Sequence, residues 1–235
     1  MPPLVIASAA KHSRIFRRRQ SGLLRGACHR AALRADPVAR DDGEDGGSVA
    51  ERRLLEKRAG MKVIGLAGWS GAGKTTLLTR LIPHFNAQGL RVSVIKHAHH
   101  QFDVDVPGKD SWRHREAGAA EVLVASSNRW ALMHELRGAA EPKLPELLGK
   151  LSAVDLVIVE GFKREPHRKI EVHRAANGKP LLFPDDPGIA GIATDTTIDT
   201  GLPTVHLDDI AAAAELLLRA AMPVEEAVAK SAAIR

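Results

Sequence analysis

Gly68-Trp69-Ser70-Gly71-Ala72-Gly73-Lys74-Thr75 decides the fold of this chain. It satisfies the spacing G-x-x-x-x-G-K-[ST]. It stands between an apolar run at 62–67 that reads as a strand and a helical stretch at 74–88 closed by Gly89. Glycines let the backbone turn tightly enough for several N–H groups to converge on one phosphate chain. Ser70, Gly71, Ala72 and Gly73 are expected to supply those groups, and the helix opening near Lys74 adds its positive end. Lys74 is expected to reach the β- and γ-phosphates, the Thr75 hydroxyl to bind Mg²⁺, and Thr76 to contact the α-phosphate.

Outward from this loop, strand and helix patterns alternate. Strands are predicted at 91–95, 121–125, 130–136, 154–159, 170–173, 189–193 and 204–207. Helices are predicted from Asp110 to about Gly118, at 142–151, and after Asp208, with Asp110 and Asp208 as caps. The run at 154–159 is apolar throughout, as in a strand buried on both faces. The pattern implies an α/β fold of the P-loop NTPase type, three layers with a mostly parallel sheet flanked by helices. The nucleotide-binding domain is expected to span 61–221, with 222–235 a C-terminal tail.

The net charge of +6 suggests nucleic acid until it is located. Residues 1–60 hold 13 Lys/Arg against 7 Asp/Glu, while residues 61–235 hold 21 of each. The excess therefore lies outside the expected domain, and a bulk electrostatic case for nucleic-acid binding does not apply to it. Residues 1–60 combine a basic run at Arg17-Arg18-Arg19 with an acidic, glycine-rich run from Asp41 to Gly47. They read as an extension with native translation starting near Met61, the alternative being a disordered interaction tail. No stretch approaches the roughly 20 apolar residues of a membrane span. Cys28 is the single cysteine, which excludes an internal disulfide and fits a reducing cytoplasm.

Phosphate-bound Mg²⁺ usually needs a carboxylate at the end of another strand. Asp155 and Glu160 flank one strand, about 16 Å apart at ~3.3 Å per residue, so both cannot reach one ion. Ligands gather beyond the carboxyl ends of parallel strands, which selects Glu160 and leaves Asp155 as a strand-entry cap. The alternative for Glu160 is a simple pairing with Lys163. The loop after the second strand carries His97, His99, His100, Asp103 and Asp105. Asp103 or Asp105 is a candidate to hold Mg²⁺ or orient a water, with Asp103 as the catalytic candidate. The histidines raise a transition-metal alternative, although no cysteine joins them. Arg113 and Arg115, two apart on a helix, do not share a face. One of them, or Lys163 and Arg164, can meet an anion.

Taken together, these segments resemble the molybdopterin-guanine dinucleotide biosynthesis protein B family, from about Met61 to Leu218. The specific string is His99-His100-Gln101-Phe102-Asp103-Val104-Asp105-Val106-Pro107-Gly108-Lys109-Asp110-Ser111-Trp112-Arg113, followed by Ala117-Gly118-Ala119. Val159-Glu160-Gly161-Phe162-Lys163 and Ile192-Ala193-Thr194-Asp195 add to it. The resemblance implies a GTP-binding, Mg²⁺-requiring homodimer with weak GTPase activity. It also implies association with the molybdenum cofactor guanylyltransferase that joins GMP to molybdopterin. The Asn/Thr-Lys-x-Asp guanine motif of many GTPases is absent. Asp195, ending a late strand, is the candidate guanine reader; its alternative is a turn cap for Thr196-Thr197.

Two other classes compete with an accessory role. A small-molecule kinase would use the same loop, but it needs a base for an acceptor and usually an arginine-rich lid, which is not evident. A metallochaperone GTPase would use the histidines. For hydrolysis, in-line attack by water is expected, slow because no glutamine stands beside the loop.

Overall fold

The computed structural model describes residues 59–98 and 102–233. The readings of residues 1–58, and of His99, His100 and Gln101, lie outside the described residues. Among the described residues, nine strands and five α-helices follow in order. They are β1 (Lys62–Ala67), α1 (Lys74–Ala87), β2 (Val92–Lys96), α2 (Asp110–Glu116), β3 (Glu121–Ala125), β4 (Trp130–His134) and α3 (Leu144–Lys150). Then come β5 (Leu156–Glu160), β6 (Lys169–His173), a 3₁₀ turn (Ala175–Asn177), β7 (Ile189–Thr194), β8 (Thr204–His206), α4 (Ile210–Ala220), β9 (Met222–Pro223) and α5 (Val224–Ala232).

The main sheet runs β2-β5-β1-β6-β7-β8, with all five pairings parallel. Alternate residues of its central strands feed two cores. Ile64, Leu66, Leu156 and Ile158 face α1 and α4, meeting Leu77, Leu81, Phe85, Ala213 and Leu217. Val63, Val157 and Val159 face the other layer, meeting Leu144, Leu148, Val224 and Ala227 of α3 and α5. A sheet buried on both faces by helices explains the unbroken apolar run of β5, in which every residue is buried. In α1 the buried positions 77, 78, 81 and 85 form one helical stripe. The three-layer α/β expectation is met. Because β1 has β5 and β2 on one side and β6, β7 and β8 on the other, strand order reverses at β1, and the Gly-rich loop leaves the sheet at that switch point.

Three expectations need correction. Of the expected tail at 222–235, the described residues 222–233 are folded: β9 pairs antiparallel with β1 at Lys62 and Val63, and α5 buries Val224 and Ala227. β6 first pairs with β1 at Gly65, so β9 occupies the lower half of an edge that β6 leaves uncovered. The cap of α4 is Asp209, which accepts from the Ala212 amide (2.9 Å); Asp208 bonds Arg80 instead (2.7 Å). Asp110 is the first residue of α2 rather than its cap, which is Lys109. β3 and β4 are strands as expected, but they pair only with each other, in a separate antiparallel hairpin.

Candidate functional site

The loop between β1 and α1 can turn as it does because of its glycines. Gly68 has φ 142°, and a Cβ there would sit 2.4 Å from the Val172 carbonyl oxygen, so any side chain would push β6 away. Gly73, at φ 95°, occupies the left-handed region directly before α1. The loop is braced from outside. Trp69 Nε1 donates to the Pro180 carbonyl (2.8 Å), and Asn177 Nδ2 donates to the Ser70 carbonyl (3.0 Å). Both braces come from the segment after β6, which lies beside the loop because β6 pairs with β1.

Lys74 Nζ folds back on its own loop, donating to the carbonyls of Gly68 (2.9 Å) and Trp69 (3.0 Å). The adjacent Thr75 hydroxyl donates to Glu160 Oε1 (3.0 Å). Glu160 ends β5 with only 8% of its surface exposed and is aligned with Leu66 of β1 and Lys96 of β2. Its second oxygen faces Lys96 Nζ at 3.8 Å. Lys163 Nζ lies over the Trp69 ring, 5.3 Å from its centre. Burial lowers the Lys74 pKa; Glu160 opposes that shift, while Lys163 and Lys96 add to it. Lys74, Lys96 and Lys163 thus gather about the loop, with the carboxylate of Glu160 among them. Such a cluster carries surplus positive charge and suits a polyanion.

The remaining candidates separate into two groups. Asp195 follows β7, on the same end of the sheet as the loop, because β7 runs parallel to β6 and β1. Its Oδ1 accepts from the Ala175 amide (2.8 Å) and its Oδ2 faces Arg174 Nη1 (3.6 Å). Asp103, by contrast, is engaged elsewhere: Arg115 grips both its oxygens (2.9 and 3.0 Å), which holds its carboxyl below the usual range. Asp105 accepts from the Ser111 hydroxyl (2.7 Å). Arg115 also faces Glu135 (3.4 Å), so this cluster fastens the loop to α2 and to the segment after β4. Arg113 is exposed. Asp155 accepts from the Arg91 amide (2.7 Å), the strand-entry role expected of it.

His97 bonds Glu141 (2.6 Å) and stacks on Phe162 (4.6 Å between centres). Phe162 has φ 48°, an uncommon conformation for a side chain of its size, next to Gly161, where a Cβ would meet that of His97 at 2.6 Å. This packing ties the loop after β2 to the loop after Glu160. Among the described residues, no three His, Cys, Asp or Glu side chains are grouped to hold a metal.

The sequence left Arg174, Asn177 and Lys96 without a role at the loop. The available signal was position: Lys96 and Arg174 stand at or just past the C-terminal ends of β2 and β6, the end of the sheet where the loop lies.

Comparison with known proteins covers the same region. Residues 63–195 match the family described as molybdopterin guanine dinucleotide synthesis protein B. The molybdopterin-guanine dinucleotide biosynthesis adapter protein of Escherichia coli (strain K12) is 41% identical over 159 residues, 66% of this chain and 91% of that protein. Its namesake from Haemophilus influenzae is 46% identical over 140 residues, 58% of this chain and 76% of that protein. Among solved structures, a molybdopterin-guanine biosynthesis protein B aligns at TM-score 0.55 and 29% identity, over 67% of this chain and 98% of the other. Bacillus subtilis MobB aligns at TM-score 0.53 and 26% identity, over 68% and 98%.

Proposed function

The chain belongs to the molybdopterin guanine dinucleotide synthesis protein B family, and from that premise we propose that it serves this synthesis as a GTP-dependent adapter with weak GTPase activity. The observation that carries the nucleotide reading is the contact of Thr75 with Glu160 across a glycine turn, with Lys74, Lys96 and Lys163 around it. Loop amides and Lys74 bind the phosphates, Lys74 leaving the Gly68 and Trp69 carbonyls to do so. Thr75 and Glu160 are hard oxygen donors already within hydrogen-bond distance, the kind of pair Mg²⁺ takes when it also binds phosphate. Bound Mg²⁺ would neutralise part of the triphosphate charge. Asp195 offers the carboxylate that can accept from guanine N1 and N2.

Among the described residues, glutamine occurs only at position 88, at the far end of α1, where it bonds His84. No glutamine amide among the described residues therefore stands beside the phosphate loop to orient water, in keeping with slow hydrolysis. Asp103, held by Arg115, is not offered as base or metal ligand, and a kinase loses its candidate base with it. The adapter role assigns transfer of GMP onto molybdopterin to a partner guanylyltransferase. Exposed Leu123, Val124, Trp130 and Leu132 on the hairpin, with Phe102, Val104 and Val106, support association through this surface, including a homodimer. No helix among the described residues is long and apolar enough to cross a membrane.

Titration with GTP and ATP, with and without Mg²⁺, tests the reading. Lys74→Ala is expected to lower GTP affinity about 100-fold, the loss of a charge-assisted phosphate contact. Unchanged affinity would sink the site.

A further inference from the structure

The segment after β6 does more than brace the phosphate loop. β6 lies between β1 and β7, so Arg174, the residue following it, stands between the loop and Asp195. Its guanidinium lies against Gly73: a Cβ there would be 3.5 Å from Nη2 and 3.7 Å from Nε. Its Nη1 is 3.6 Å from Asp195 Oδ2. The other oxygen of Asp195 is fixed by the Ala175 amide, directly after Arg174 in the chain. Arg174 also acts on Asp208, which Arg80 already bonds. Asn177 completes the link, since its side chain holds the Ser70 carbonyl in the loop itself.

An arginine touching the last glycine of a phosphate loop lies on the path of a nucleotide running from that loop toward Asp195. Its ion pair engages the carboxylate offered above as the guanine reader. We propose that Arg174 is an exchangeable latch: it holds Asp195 until phosphate arrives, then turns its guanidinium to the α- and β-phosphates and frees Asp195 for the base. A guanidinium fork matches phosphate oxygens at least as well as a carboxylate, and a diphosphate carries more charge than one aspartate. Phosphate binding therefore opens the base site, and the base alone must break the ion pair. The inference rests on the nucleotide reading of the site.

The two ligands separate the effects. In the full chain, Arg174→Ala is expected to weaken GDP about 10-fold, because a charge-assisted phosphate contact is lost. The same variant is expected to bind guanosine about 2- to 5-fold more tightly, because a half-exposed ion pair no longer competes for Asp195. Arg174→Lys, which keeps the charge without the fork, falls between wild type and alanine for both ligands. Arg174→Ala combined with Asp195→Asn loses the guanosine gain. A merely structural role would move both ligands in the same direction. Same-direction changes, no change, or guanosine that saturates neither protein at millimolar concentration overturn the latch. GDP affinity that is absent in the wild type, or indifferent to Lys74→Ala, overturns the nucleotide site as well; GDP affinity that needs Lys74 while guanosine gains nothing overturns the latch alone.

Discussion

At the start of β6, Lys169 is 2% exposed and its ammonium lies 3.0 and 3.3 Å from the two oxygens of Asp186. Beside it, buried Glu171 accepts from the amides of Leu182 (2.7 Å) and Phe183 (2.9 Å). His167, wholly buried against Gly65 of β1, has its pKa lowered to about 4, chiefly by burial and then by Lys169, with Asp186 opposing. At the end of β5, buried Glu160 instead faces more amines than it can neutralise. In the first group Lys169 and Asp186 meet each other and Glu171 is met by two backbone amides. In the second, positive charge is left over beside a glycine-rich turn. Buried charge that is matched holds structure together; a surplus beside a phosphate loop marks where a ligand must supply the difference.

The sharpest way to break this contrast is to remove a charge from the matched group. Lys169→Met strands Asp186 and is expected to cost about 3–5 kcal/mol of stability, as when one partner of a buried pair is removed. GTP affinity of the folded protein should stay within about 2-fold. Urea denaturation and nucleotide titration of the same preparation measure both. A variant that keeps its stability but loses GTP would erase the distinction.

His167 gives the next effect, in pH. Its folded pKa, about 4, lies below the ordinary 6.5, so the unfolded chain takes up the proton first as pH falls. Stability owed to this group is intact above pH 6.5, declines between 6.5 and 4, and levels off below. The full decline is about 3 kcal/mol for a shift of that size. Glu171, raised by burial, contributes a slope of opposite sign that wild type and variant share. The difference between wild type and His167→Leu in urea midpoint across that range isolates the histidine; parallel curves would refute its neutral burial.

The smallest effect belongs to the surplus. Lys96→Met and Lys163→Met are each expected to lower GTP affinity about 3- to 5-fold at low salt, with the deficit shrinking as salt screens exposed charge. Loss of stability without loss of affinity would move these lysines into the matched class.

Legibility in the sequence followed the same division. The phosphate loop could be read because each residue answers a local backbone demand, and Glu160 because an apolar run ended in an acid. Arg174 was visible only as a residue just past a strand end, and Asn177 not at all, since only the pairing of β6 with β1 brings them to Gly73 and Ser70. Alternation disclosed β3 and β4 but not that they leave the main sheet, because periodicity says nothing about which edge a strand joins. The 222–235 stretch misled because its strand is two residues long, too short for any period, and its burial depends on a partner far away in the chain.

That partner is β1, and the carbonyl of Met61, directly before it, also accepts from the Val224 amide. The strand leading into the phosphate loop has its edge finished by residues that lie far downstream of it in the chain. Until those residues have been made, the lower half of that edge lacks its partner, so the entry to β1 closes after the strands that surround the phosphate loop exist.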